Sequence, residues 1–245
     1  MTTLLLVRHG LTALTGPVLA GWTPEVHLDQ RGQAQARELA ARIAAVPLSA
    51  IVSSPLERCR ETAEAILSAR ADPPAERADD ASADRPAPKP VDKAEIDERF
   101  GEVRYGDWTG RPLTELAKEP LWRVVQAHPS AVRFPGEEGE SLTGAQHRAV
   151  TAVRDWNARL GPDATYLVCS HGDIIKAIVA DALGLHLDQF QRIQADPASL
   201  TVIRYTELRP FLVRLNDTGG SVDGLLATPG KEDGDDSDAP VGGGG

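Results

Sequence analysis

Two tripeptides carry the most suggestive chemistry in this chain. Arg8-His9-Gly10 and Ser170-His171-Gly172 each follow a run of strand-forming residues, LLLV at 4–7 and TYLVC at 165–169. Short apolar runs of this kind read as buried strands. In a parallel sheet, ligands bind beyond the carboxyl ends of the strands, so both histidines are expected on one edge. The glycine after each histidine lets the backbone turn sharply and lets a ligand come close. Arg8 precedes His9. Arg58 falls on the first turn of a helix after another strand end, Ser53-Ser54-Pro55. A guanidinium fork matches the oxygens of a phosphate. Two imidazoles with two guanidiniums would repel a metal cation but suit a tetrahedral oxyanion, so no metal site is expected. A neutral imidazole nitrogen can attack phosphorus, while the arginines neutralise the equatorial oxygens. The departing alkoxide then needs a proton from a nearby carboxylic acid. The glycine-punctuated loop FGEVRYGDWTG offers Glu102 and Asp107. Singly, each residue reads as structure: the histidines as packing, Arg58 and Glu102 as surface charge. Their conjunction carries the chemistry.

Positioning these groups calls for alternating strands and helices. The pattern predicts strands at Thr3–Val7 and Ala50–Ser53, a brief one at Ala94–Glu98, and another at Thr165–Cys169. A final pair, SLTVIRY and PFLVRLND, reads as antiparallel. Helices are predicted at Arg31–Val46 and from Ser54-Pro55 to about Ala69. Others are expected at Leu113–Lys118, Leu121–Ala127, Leu142–Leu160 with Ser141 as N-cap, and Asp173–Leu183 closed by Gly184. Strand–helix alternation implies an α/β three-layer sandwich with a mainly parallel central sheet flanked by helices. Residues 72–91 (DPPAERADDASADRPAPKPV) lack an apolar face and read as a polar insert. Residues 219–245 read as a disordered acidic, Gly-rich tail, leaving one domain over 1–218.

Bulk properties narrow the function. The chain has 245 residues, 41% of them apolar, enough for a sizeable core. Its net charge of −10 argues against a generic nucleic-acid surface. Half of that charge, six acids against one base, lies in residues 219–245, so a local basic pocket is compatible with the total. Cys59 and Cys169 form no C-x-x-C pair and read as two buried thiols in a reducing compartment. With no signal peptide or long apolar span evident, a cytoplasmic protein is expected. The expected partner is a small phosphorylated molecule, not nucleic acid or membrane; a homo-oligomer is left open.

The chain resembles the histidine phosphatase superfamily, also called phosphoglycerate mutase-like, over roughly residues 2–218 apart from the insert. LLLVRHGLT resembles the family's nucleophile signature, LDQRGQAQA the following helix start, and VSSPLERCRETA its arginine-bearing segment. ERFGEVRYGDWTG resembles the acid-bearing loop, EGESLTGAQHR and YLVCSHGDIIKAI the later segments, and VRLNDT the closing strand. The resemblance implies a phosphoglycerate mutase-like fold, with His9 as the phosphorylated nucleophile. Arg8, Arg58 and His171 would form the phosphate pocket, and Glu102 would be the proton donor and later the base for water. It also implies a loop-shaping Asp107, a packing role for Trp108, and neither metal nor cofactor. Many members have an acid after RHG and an asparagine four residues further on, where this chain has Leu11 and Thr15. Thr12 matches the family's usual hydroxyl, and Thr15 still offers one. Gly21, in the 14–27 loop that supplies a pocket wall, joins Thr12 and Thr15 among the expected substrate-binding residues. The leading expectation is a phosphatase hydrolysing a phosphate monoester through a phosphohistidine. The alternatives are a phosphomutase and a non-catalytic interaction protein on the same scaffold. The presence of His9, Arg8, Arg58, His171 and Glu102 together weighs against the last.

Overall fold

The computed structural model describes residues 1–71 and 91–219. The predicted insert (72–91, all but its last residue) and the predicted tail (all but Gly219) lie outside them. Six strands form one sheet: β1 (Thr2–Arg8), β2 (Ala50–Ser53), β3 (Glu95–Ile96), β4 (Thr165–Ser170), β5 (Leu200–Tyr205) and β6 (Pro210–Asp217). Their order is β3-β2-β4-β1-β5-β6. The pairs β2–β3, β2–β4 and β1–β4 are parallel, while β5 and β6 are antiparallel to their neighbours. The sheet is thus mainly parallel, as the alternation implies.

Period-two geometry explains how an uninterrupted apolar run serves two cores. Leu4, Leu6, Tyr166 and Val168 face one layer, with α5 (Leu142–Leu160) and α6 (Gly172–Ala182) packed over them. Leu5, Val7, Leu167 and Cys169 face the other, covered by α1 (Gln30–Ile43) and α2 (Glu57–Ala71). Two small helices, α3 (Leu113–Leu116) and α4 (Pro120–Ala127), sit in the long connection before α5. Ser141 caps α5 by accepting from the Gly144 N–H at 3.0 Å, and Asp29 caps α1 by accepting from Gly32 at 2.8 Å. Cys59 and Cys169 are both buried free thiols. Among the described residues, no helix is long and apolar enough to cross a membrane.

Several boundaries differ from expectation, for local reasons. Helix α1 stops at Ile43, and the chain leaves it through a turn closed by Val46 N–H to the Ile43 carbonyl. Helix α2 starts at Glu57 and not at Ser54-Pro55, because Ser54 Oγ is occupied elsewhere: it accepts from Leu56 N–H at 3.3 Å and meets His171. Strand β3 shrinks to two residues because Asp97 turns its carboxylate onto the backbone N–H of Arg99 and opens a short 3₁₀ turn. A 3₁₀ segment at Leu187–Arg192, unforeseen in sequence, buries Leu187 and Phe190 against α6.

Candidate active site

The register of the two central strands places the histidines. Arg8 pairs with Ser170 across β1 and β4. The next residue on each chain is therefore a neighbour of the other: His9 N–H donates to the Ser170 carbonyl, and the ring centroids lie 5.3 Å apart. The first turns of the following segments then diverge. Gly10 runs so close to α1 that a Cβ there would sit 2.5 Å from the Gly32 carbonyl oxygen. Gly32 is packed as tightly, since its own Cβ would sit 2.0 Å from the Leu11 carbonyl oxygen. The glycine after His9 is thus required by helix packing, a reason that the expectation of room for a ligand did not include.

His9 and Arg58 interlock. His9 Nδ1 lies 2.7 Å from the Gly10 carbonyl oxygen. A carbonyl can only accept, so Nδ1 carries the proton and the lone pair is on Nε2. Arg58 Nε donates to that Nε2 at 3.2 Å. Arg58 Nη2 donates to the Gly21 carbonyl at 2.8 Å and lies 3.3 Å from His171 Nδ1. Thr62 Oγ1 ties this group to the strand end, donating to the Arg58 carbonyl at 2.8 Å and accepting from Gly10 N–H at 3.3 Å.

His171 has no solvent exposure. Arginine only donates, so the Arg58 contact makes His171 Nδ1 the acceptor. The ring proton then sits on Nε2, 2.7 Å from Ser54 Oγ. Burial, reinforced by the Arg58 and Arg8 charges, holds both imidazoles well below the usual histidine range and keeps them neutral.

Two buried guanidinium nitrogens, Arg8 Nε and Arg58 Nη1, have no hydrogen-bond partner. Leaving a buried charged donor unmatched is costly, about 1–3 kcal/mol or more. Both residues line one pocket, together with His9 and Glu102. Arg8 is otherwise anchored by an Nη1 hydrogen bond of 2.8 Å to the Ala195 carbonyl. A tetrahedral anion would satisfy these donors.

Glu102 is buried, with Oε1 accepting from the Val103 N–H at 2.9 Å and Oε2 3.9 Å from His171 Nδ1. Burial, with the Asp173 charge behind it, pushes its carboxyl up to about 8 against the pull of Arg58 and Arg8. It is therefore protonated at neutral pH, as a proton donor must be. Asp107, the other acid of this loop, is exposed and does not line the pocket. Its backbone N–H donates to the Pro135 carbonyl, and Trp108 packs between Phe134 and Trp122.

Thr12, Thr15 and Gly21 all line the pocket. Thr15 Oγ1 accepts from the Thr12 N–H, and the two hydroxyls meet at 3.0 Å. One hydroxyl proton is used between them and the other remains for the pocket. Gly21 has φ +51°, and its carbonyl, as above, steadies Arg58.

Several supporting residues went unrecognised in the sequence. Arg148, from α5, donates to the backbone carbonyls of Arg99, Gly101 and Glu102, and is itself paired with Glu140 at 2.6 Å. Trp22 Nε1 donates to the Glu102 carbonyl at 2.6 Å, and Ser170 Oγ to that of Phe100 at 2.7 Å. The acid's loop is thereby clamped from three sides. Asp173 accepts from the Tyr105 hydroxyl at 2.9 Å and pairs with buried Lys176 at 3.4 Å. These residues carry no spacing signal. Ser54 and Ser170 stood in stretches singled out for chemistry, where Ser54 read as a helix opener and Ser170 only as the residue before His171.

Comparison with known proteins agrees with this geometry. The model of the histidine phosphatase superfamily (branch 1) matches residues 4–218. Phosphoserine phosphatase 1 of Hydrogenobacter thermophilus is 28% identical over 236 residues, covering 89% of this chain and 93% of that one. Glucosyl-3-phosphoglycerate phosphatase of Mycolicibacterium vanbaalenii is 30% identical over 195 residues, 76% of each chain. A probable phosphoglycerate mutase of Cronobacter sakazakii is 27% identical over 91% of this chain and 94% of its own. The solved structure of Bacillus stearothermophilus YhfR has a TM-score of 0.71 and 26% identity over 89% of this chain and 98% of that one. Matched along nearly its whole described length, with one strand-end imidazole and two guanidiniums lining a pocket and the second strand-end imidazole, His171, buried beside them and outside its lining, the chain belongs to the histidine phosphatase superfamily and is an enzyme of phosphate-ester chemistry.

Proposed function

We propose that the chain is a phosphomonoesterase working through a phosphohistidine on His9. The observation that carries this reading is that His9, Arg8 and Arg58 line one pocket, His9 with an unprotonated Nε2 and each arginine with a buried nitrogen that has no hydrogen-bond partner. The ester's phosphate settles against the two guanidiniums. His9 Nε2 attacks phosphorus as the P–O bond to the alcohol breaks, and Glu102 gives its proton to the leaving oxygen. The ionised Glu102 then takes a proton from water, whose oxygen attacks phosphorus and breaks the P–N bond. Orthophosphate departs and both side chains are restored. The His171 ring lies 5.3 Å from that of His9, with Nδ1 unprotonated toward Arg58. The arriving dianion offsets the arginine charges that hold this ring neutral, so a proton taken from solvent onto Nδ1 would stay on His171 and be shared with a phosphate oxygen as a hydrogen bond.

The phosphoglycerate mutases among the relatives raise a second reading, a phosphomutase. A mutase returns the phosphoryl group to a bound acceptor and must exclude water from the intermediate. For a phosphoglycerate it must also grip a second anionic group. Among the described residues, the cationic side chains lining the pocket are Arg8 and Arg58, and both are engaged by the transferred phosphate. This favours hydrolysis. A screen of phosphate monoesters scored for released orthophosphate against isomerised ester tests the choice. Orthophosphate should dominate by at least tenfold; an excess of isomer would convert the reading to a mutase.

A further inference from the structure

Tyr105 lines the pocket together with Glu102, three residues before it in the same loop, and its hydroxyl donates to Asp173 Oδ2 at 2.9 Å. Asp173 follows His171 by two residues, in the first turn of α6. Its other oxygen, Oδ1, meets Lys176 Nζ at 3.4 Å, and both side chains are only 2% exposed. Lys176 is held in turn by the 3₁₀ segment packed on α6. Its Nζ donates to Gln191 Oε1 at 2.6 Å and lies 4.4 Å from the centre of the Phe190 ring. Desolvating such a pair costs about what the attraction returns, so stability alone is a weak reason for it. Its place suggests a better one, because the Tyr105 hydrogen bond joins it to the acid's loop. Glu102 itself meets charge from several elements. Arg8 from β1 and Arg58 from α2 share the pocket with it and with neutral His9, and His171 at the end of β4 lies 3.9 Å from Oε2. Arg148 from α5, paired with Glu140, donates to its backbone carbonyl. Asp173 from α6 opposes the two guanidiniums, with Lys176 on its far oxygen. A carboxylate near a carboxyl favours the protonated form, and the guanidiniums favour the ionised one.

We infer that Asp173 is a positioning residue for the acid step: its buried carboxylate, fixed by Lys176 on one oxygen and Tyr105 on the other, acts through Glu102 to keep the acid form ready for the leaving oxygen. This rests on the phosphatase reading above, in which Glu102 is the donor, and adds the group that sets its readiness. Asp173 does not line the pocket and touches no reacting atom. Its effect is that of a fixed charge.

The experiment measures the pH dependence of kcat/KM for hexyl phosphate on the full chain, by released orthophosphate. The unmodified protein should lose rate as pH rises through about 8, where the Glu102 carboxyl gives up its proton. Asp173→Asn keeps an acceptor for Tyr105 and removes the charge. Its limb should fall by about one pH unit, which is a loss of about tenfold in rate on the alkaline side. Tyr105→Phe removes the hydrogen bond and keeps the charge, so its limb should stay at or above that of the unmodified protein. Asp173→Asn with Lys176→Gln removes both charges and leaves no buried ion unmatched. Its limb should also fall, and it carries the test where the single variant does not fold. An unmoved limb in either soluble Asp173 variant overturns the inference, even where the whole profile is lowered, since a merely structural role would do that. A fall in Tyr105→Phe equal to that in Asp173→Asn overturns it as well, by tracing the effect to the loop's position. These results leave the phosphatase reading standing. Two others overturn both: no orthophosphate released by the unmodified protein, or an alkaline limb that Glu102→Gln leaves intact.

Discussion

The ends of β1 and β4 begin alike and finish differently. Each strand delivers a histidine to the same edge, the rings lie 5.3 Å apart, and burial beside the same two arginines keeps both neutral. Yet their protons sit on opposite nitrogens. His9 gives Nδ1–H to the carbonyl of the very next residue, which turns its far nitrogen, Nε2, into the pocket as a lone pair. His171 commits its far nitrogen to Ser54, at the end of β2, and keeps only Nδ1 toward Arg58. The far nitrogen of His9 keeps its lone pair, met by the Arg58 Nε–H at 3.2 Å, while that of His171 is committed as a donor to Ser54. In the proposed mechanism, what separates nucleophile from binder is the group that holds the second nitrogen.

The sharpest way to break that contrast is to remove the reaching ring. His9→Ala should lower the rate with p-nitrophenyl phosphate by at least ~10³-fold. A comparable residual rate would give the nucleophile's part to another residue, His171 first among them. Trapping of radiolabelled phosphate on the unmodified protein, lost in His9→Ala, would check the intermediate directly.

Next in size is Glu102→Gln. With alkyl phosphates the loss should be ~10²–10⁴-fold, and with p-nitrophenyl phosphate, whose leaving group needs little help, no more than ~10-fold. Equal losses would argue against the acid role. The pH dependence follows from the same group. Its carboxyl is raised to about 8, and the donor form is the one present below that value. The kcat/KM for alkyl phosphates should therefore hold near neutrality and fall as pH rises through about 8, a limb that Glu102→Gln abolishes. At the acid end both histidines stay neutral below the ordinary range, so activity should show no loss on passing down through about pH 6.5, the unperturbed imidazole value.

The smallest effect sharpens the contrast from the other side. Ser54→Ala removes the partner of His171 Nε2 and frees the ring to turn. A lost buried hydrogen bond of this kind is worth about 1–3 kcal/mol, so a rise in KM of roughly tenfold is expected, with kcat reduced less. Nitrogen-15 shifts of the His171 ring should move away from the Nε2–H tautomer while those of His9 stay in place. An unmoved His171 signal would detach Ser54 from the tautomer.

Much of this site could be read from the chain alone because its parts are local. Strand, histidine and glycine are consecutive in both RHG and SHG, and apolar continuity announces strands buried on both faces. Which edge they share follows from parallel pairing. The Glu102 loop was legible as a place for an acid, though Asp107 looked as able until burial separated them. The close approach of Gly10 to α1 went unforeseen, because a glycine's neighbour across space leaves no mark on its own sequence. Arg148, Trp22 and Ser170 clamp the acid's loop from three separate segments, and nothing in their spacing points to it.

The sequence by itself determined which groups this protein brings to bear: two imidazoles, two guanidiniums and a carboxyl, on strand ends and a loop. The His9 proton goes to the carbonyl of the adjacent residue, yet the same His-Gly pair at 171–172 holds its proton on the other nitrogen, so the backbone conformation and not the sequence sets it. Only the tertiary structure decided the His171 tautomer, which depends on a hydroxyl 117 residues away. The same holds for the protonation of Glu102, set by burial and by the Asp173 charge. Desolvation and long-range hydrogen bonds belong to the space around a residue, and that space does not exist until the chain has closed upon itself.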